Sequence, residues 1–168
     1  RPEVALLYSP TATILNSGSY RAETDALYTA LCFTGYRPRF LTERQLARGE
    51  FGNSRLLYVA GAKNVSRAAR LGMKKFTENG GRIALTPGSL AQDEFGRPAA
   101  PDFPTEPAAP ENAAALTAQI HRSGVAPLPA AVKVAHEDGN SGIFFRMVPD
   151  GKGRAPGRTE VPHMAKAL

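Results

Sequence analysis

The sequence predicts an α/β protein: a doubly wound, mostly parallel sheet followed by a C-terminal helix and a β-hairpin. Three observations predict it. Apolar runs of strand length, unbroken rather than alternating, fall at 4–8, 56–60 and 83–85, as in strands covered on both faces. Between the last two runs, Ala69, Gly72, Met73 and Phe76 recur at helical spacing, which marks an amphipathic helix. Strand, helix and strand within residues 55–87 make a right-handed crossover unit, and such a unit forces neighbouring strands to run parallel.

Each element has its own signals. Residues 4–8 are the first strand, broken by Ser9-Pro10-Thr11. The small, polar stretch 12–20 reads as a loop at the carboxyl end of that strand. Residues 23–34 read as a helix with Leu27, Ala30 and Leu31 inward, Cys32 within it and Gly35 as its stop. Residues 37–41 make a short strand, placed near an edge by Pro38. Thr42 and Gln45 have capping-box spacing, so a brief helix follows with Leu46 inward. In the central unit Ser66 is the N-cap, Asn79-Gly80-Gly81 is the stop, and Arg67, Arg70 and Lys74 form a basic face.

Past Thr86 the character changes. Pro87-Gly88-Ser89 turns the chain, and Asp93-Glu94-Phe95-Gly96-Arg97 is a charged, turn-rich loop. Five prolines in 98–110 indicate an extended surface connection. Leu116 and Ile120 face inward from a helix over 113–122. Residues 131–135 and 142–148 flank Glu137-Asp138-Gly139-Asn140 as hairpin arms. The expected division is an α/β domain at 1–97, a proline-rich connection at 98–112, a helix and hairpin at 113–150 that complete or flank the sheet, and a loosely ordered tail at 151–168.

At 168 residues the chain is long enough to bury a core. No apolar run reaches membrane-spanning length, so no membrane is expected. Arg1 stands where a methionine would begin a chain, and no signal peptide is visible, as in a piece of a longer protein or a processed product. The compartment stays open: bacterial cytoplasm, periplasm or outside the cell. The formal charge is +6, but the basic residues are scattered among elements. The helix face is the one local cluster, and it reads as solvated surface rather than a nucleic-acid site.

In doubly wound sheets, reacting groups lie beyond the carboxyl ends of the strands. Here those turns offer Ser9, Lys63, Asn64 and Ser89 as candidate ligand-binding residues. No carboxylate or histidine stands among them. Where a nucleophile elbow would carry serine or cysteine, the turn reads Gly61-Ala62-Lys63. Lys63 would need strong desolvation to form a Schiff base. The single cysteine, Cys32, sits mid-helix, where it reads as a small hydrophobe; a lone cysteine also excludes an intrachain disulfide. His121, His136 and His163 have neither triad nor zinc spacing, and His136-Glu137-Asp138 reads as a hairpin loop. No phosphate-cradling glycine motif follows a strand. The residues therefore predict no catalytic group, no metal and no cofactor.

Several blocks together carry a family resemblance: Val4 to Tyr8, Gly35-Tyr36-Arg37-Pro38, Leu56 to Ala60, Val65-Ser66, Phe76 to Thr86, and Asp93 to Arg97. Over residues 3–97 the chain resembles the glutamine-amidotransferase-like domain that follows the catalytic barrel in family 42 β-galactosidases, often called the β-galactosidase trimerisation domain. The resemblance implies a flavodoxin-like, class I amidotransferase-like fold without amidotransferase activity, since true amidotransferases carry a cysteine at the elbow. It also implies a role in subunit association and in walling a neighbour's active site. The two catalytic glutamates of that family belong to the barrel, and none is carried over here. Residues 98–168 depart from the pattern.

The leading expectation is a non-catalytic accessory and oligomerisation domain of a larger, bacterial, β-galactosidase-like glycoside hydrolase. Its partners would be a neighbouring domain of the parent chain or further subunits, with Arg67, Arg70 and Lys74 as interface candidates. Two alternatives remain at this point. One is a stand-alone amidotransferase-like hydrolase using Cys32 or Lys63. The other is a sugar- or nucleotide-binding module using the loops around Ser9, Lys63 and Ser89.

Overall fold

A computed structural model describes residues 3–108, 110 and 112–127, together with the backbone of two strands at 131–135 and 141–145. His136, Glu137, Asp138, His163 and the tail at 151–168 lie outside the described residues, as does the last part of the second hairpin arm. The elements in order are β1 (Glu3–Tyr8), α1 (Pro10–Leu15), α2 (Ser17–Phe33), β2 (Arg39–Thr42), α3 (Glu43–Arg48), β3 (Ser54–Val59), α4 (Arg67–Glu78), β4 (Arg82–Leu85), β5 (Glu106–Pro107), α5 (Ala113–Arg122), β6 (Ala131–Ala135) and β7 (Ser141–Phe145). Strands β1 to β5 form one sheet in the order β2-β1-β3-β4-β5, and every pairing is parallel. This is the flavodoxin-like α/β order, with its reversal between β1 and β3. β6 and β7 pair antiparallel in a sheet of their own.

The unbroken apolar runs are explained by two cores, one on each face. Side chains alternate across a strand. Val4, Leu6, Leu56, Tyr58 and Ala84 therefore meet Leu27 and Leu31 of α2 and Leu116 and Ile120 of α5. Ala5, Leu7, Leu57, Val59 and Ile83 meet Leu46 of α3 and Met73 and Phe76 of α4. Helix α5 is thus part of the α/β body. The capping box of α3 is present in both halves: Thr42 Oγ1 accepts from the Gln45 amide at 3.1 Å, and the Thr42 amide donates to Gln45 Oε1 at 2.9 Å. Helix α4 crosses α3 at Gly72. A Cβ there would press far inside contact distance of the Leu46 carbonyl and lie 3.0 Å from the Ala47 amide nitrogen.

Two expectations are corrected. The stretch 12–20 is helical, because Ser9-Pro10 is a helix start rather than a break. Ser9 Oγ caps the amide of Ala12 at 2.9 Å, and proline suits the first turn, where its missing N–H is no loss. Asn16 then separates α1 from α2. The proline-rich connection, in turn, carries the edge strand β5 and the buried Phe103. A two-residue edge strand tolerates Pro107, since the bond to β4 comes from the Ala108 amide, which donates to the Leu85 carbonyl at 2.8 Å.

Tyr58 ties three elements together. Its hydroxyl, fully buried, donates to Gln119 Oε1 at 2.8 Å, and Gln119 Nε2 donates to the Pro107 carbonyl at 2.9 Å. Tyr58→Phe leaves the Gln119 oxygen without its donor, and a loss of about 1.5 kcal/mol is expected in urea unfolding. Burial also pushes the Tyr58 hydroxyl above its ordinary pKa, and burial does the same to Tyr20. The neutral phenols are therefore favoured in the fold, while the unfolded chain ionises near 10. Their stabilisation is complete below pH about 10 and is lost as pH rises above it. Tyr58→Phe is expected to flatten that alkaline decline, read as unfolding midpoint against pH.

Candidate functional site

The carboxyl edge of the sheet holds two clusters of polar side chains. The first is centred on Glu43, the opening residue of α3, which is buried. Its Oε1 accepts from Ser9 Oγ at 2.5 Å and from the Thr11 amide at 3.3 Å. Its Oε2 accepts from Thr11 Oγ1 at 3.1 Å and from the Ser66 amide at 3.1 Å. One carboxylate thus joins the turn after β1 to the starts of α3 and α4. Ser9 is wholly buried, with its lone pair spent on the Ala12 amide and its proton on Glu43. This is a serine–carboxylate contact, and among the described residues no histidine stands beside it to complete a triad.

The second cluster surrounds the turn after β3. The Gly61 amide donates to Thr86 Oγ1 at 2.9 Å, Thr86 Oγ1 donates to Glu23 Oε2 at 2.5 Å, and Ser89 Oγ lies 3.1 Å from Thr86 Oγ1. Gly61 has φ of 60°, and a Cβ on it would lie 2.9 Å from the Tyr20 Cα and 3.0 Å from the Ser19 carbonyl. Only glycine fits a left-handed turn wedged against a neighbouring helix. Ala62 is buried and Lys63 is exposed. The position where an elbow nucleophile would stand is therefore a packed glycine-alanine turn.

Behind this turn, Asn64 is buried, its Nδ2 donating to Gln92 Oε1 at 3.1 Å and to the Asp93 carbonyl at 3.2 Å. Arg70 corrects the expected basic face. It is only 9% exposed, and its guanidinium donates inward to the carbonyls of Val65, Leu90 and Gln92 at 3.2, 2.6 and 2.9 Å. Burial lowers its pKa, against the raising influence of Asp93, Glu94 and Asp102. A fork of donors suits several carbonyls at once, and here it fixes the 90–92 loop, where Leu90 adopts φ of 58°. Of that face Arg67 remains exposed, while Lys74 is half-buried and pairs with Asp102 at 2.8 Å. That bond raises the Lys74 pKa and lowers that of Asp102.

A helix N-terminus attracts anions, but the start of α4 is filled by the chain's own carboxylates. The Ser66 amide goes to Glu43 and the Arg67 amide to Glu94 Oε2 at 2.8 Å. Cys32 lies on α2, partly buried, and His121 packs edge-on against Tyr36 at 6.5 Å, on the far helix α5. The structure brings Ser9 and Asn64 to one side of the sheet edge and Ser89 to the second cluster. Among the described residues it does not bring Cys32, Lys63 and a histidine together. Among the described residues, no group of three or more His, Cys, Asp or Glu is placed to hold a metal ion. No helix among them is long and apolar enough to cross a membrane.

Sequence reasoning missed Glu43, Glu23 and Thr86. The capping box next to Glu43 gave α3 its start, but the partners of Glu43 lie 23 to 34 residues away. No local pattern announces such a convergence.

No family model matches the sequence, and no curated protein matches it. Solved structures do share the fold. An apo exo-carrageenase GH42 from Bacteroides ovatus superposes with a TM-score of 0.61 at 18% identity, over 82% of this chain and 19% of that one. A catalytic mutant of a GH42 beta-galactosidase from G. stearothermophilus gives 0.50 at 22% identity, over 59% and 15%. A beta-galactosidase from Bifidobacterium adolescentis gives 0.51 at 14%, over 71% and 53%. The chain thus spans under a fifth of two of these proteins and about half of the third. At such identities the likeness is one of fold.

Proposed function

We infer that this chain is a non-catalytic accessory and assembly domain of a larger glycoside hydrolase of the β-galactosidase type. The observation that carries this reading is the packed Gly61-Ala62 turn after β3, where an amidotransferase of this fold would hold its nucleophile. The Thr86 hydroxyl, which accepts from the Gly61 amide, is bonded to Ser89 and donates to Glu23. The fold neighbours support the rest of the reading, since this chain matches only part of their longer glycoside hydrolase chains. Arg67 and Lys74 remain the proposed contact residues of α4 toward a neighbouring domain or subunit. Arg70 leaves that set, because its guanidinium is turned inward.

The test is turnover by the purified 168-residue chain on aryl β-galactosides and on glutamine. No turnover is expected from either substrate. A rate that persists through purification and disappears in Cys32→Ala or Lys63→Ala would overturn the reading in favour of a stand-alone hydrolase.

A further inference from the structure

Outside both polar clusters, a groove of about 380 Å³ opens between the carboxyl ends of β1 and β2 and the first turns of α2. Its size is that of a small-ligand site. One wall is aromatic. Tyr8 and Phe40 line it, 47% and 45% exposed, although each belongs to a strand of the main sheet. Tyr8 is the last residue of β1, and Phe40 lies on the edge strand β2. Phe40 is held in place by stacking on Tyr28, with ring centroids 5.7 Å apart and planes 14° from parallel.

The facing wall is polar and carries no net charge. Thr13, Ser17, Arg21 and Asp25 line it, and Arg21 pairs with Asp25 at 3.9 Å. Behind them the floor is fixed, because Tyr20 donates to the Leu7 carbonyl at 3.1 Å and Thr24 to the Ala60 carbonyl at 3.3 Å. The groove therefore pairs half-exposed aromatic rings with hydroxyl, guanidinium and carboxylate groups that balance in charge.

We propose that this groove binds a neutral pyranoside. The negative face of an aromatic ring attracts weakly positive edges, and the C–H groups of a sugar ring, polarised by their oxygens, present such an edge. Sugar hydroxyls both donate and accept, and so do the groups opposite: Ser17 and Thr13 in either sense, Arg21 as donor, Asp25 as acceptor. The paired charges disfavour an anion, which separates this site from a nucleotide or phosphate site. The proposal goes beyond the accessory role and does not rest on it. Turnover by the isolated chain would sink that role and leave the groove untouched, whereas absence of binding would sink the groove alone.

The test is a titration of the ¹⁵N-labelled 168-residue chain with methyl β-galactoside, methyl β-glucoside and, separately, AMP. Saturable amide shifts at Thr13, Ser17, Arg21 and Phe40 are expected with at least one glycoside and not with AMP. Phe40→Ala, Tyr8→Ala and the surface change Arg21→Ala should each weaken binding about tenfold or more, with the remainder of the spectrum unchanged. No shift with either glycoside, shifts centred elsewhere, equal response to AMP, or unaltered affinity in the variants would each overturn it.

Discussion

Gly72→Ala is expected to destabilise the domain by about 3 kcal/mol, the upper end for overpacking a close-fitted site. Two effects oppose each other. Alanine is the better helix former by roughly 1 kcal/mol. Against that, the new methyl would press on the Leu46 carbonyl and the Ala47 amide. Both are backbone groups of α3, which is capped at Thr42 and anchored through buried Leu46. Neither can rotate away as a side-chain tip would, so the helices must separate and open the core around Met73 and Phe76. The clash wins. Thermal unfolding should show a fall of roughly 10 °C for a chain of this length. Leu71→Ala, one residue away and half-exposed, should change stability by about 0.5 kcal/mol or less. Equal behaviour of the two variants would sink the argument.

Glu43→Ala should be costlier, about 4 kcal/mol, because four donors lose their acceptor together. The Ser9 hydroxyl, the Thr11 hydroxyl and amide and the Ser66 amide all end on this carboxylate. Glu43→Gln keeps one oxygen and turns the other into a donor facing donors, so roughly half that loss is expected. Arg44→Ala, on the exposed next residue, should be close to neutral. The measurement is urea unfolding with m-values checked for constancy. A Glu43→Ala chain as stable as its parent would show that water replaces the carboxylate without loss.

The elements were largely legible for physical reasons. Strands buried on both faces must be apolar throughout, and Leu56 to Val59 are. A helix between them must show one apolar stripe, and Ala69, Met73 and Phe76 are all buried. The misreading at 12–20 came from Ser9-Pro10, a pair that serves equally to stop a strand and to start a helix. Arg70 was misplaced because helical periodicity assigns a face by polarity. An arginine whose stem crosses apolar surface to reach three carbonyls violates that assumption.

By itself, then, the sequence determined the α/β class, the central crossover and the Gly61-Ala62-Lys63 turn that follows its first strand, because strand burial, helix periodicity and residue type at a turn are local properties. The tertiary structure decided what the strand-end polar residues do. It gave Ser9 a bond to Glu43, Asn64 bonds to Gln92 and the Asp93 carbonyl, and Ser89 a bond to Thr86, which is itself tied to Glu23. It also left Tyr8 at the end of β1 and Phe40 on the edge strand β2 half-exposed, where their apolar character alone would have placed them in the core. Those outcomes depend on which distant elements meet at the carboxyl edge of the sheet. Such meetings are fixed by strand order and helix packing, not by spacing along the chain.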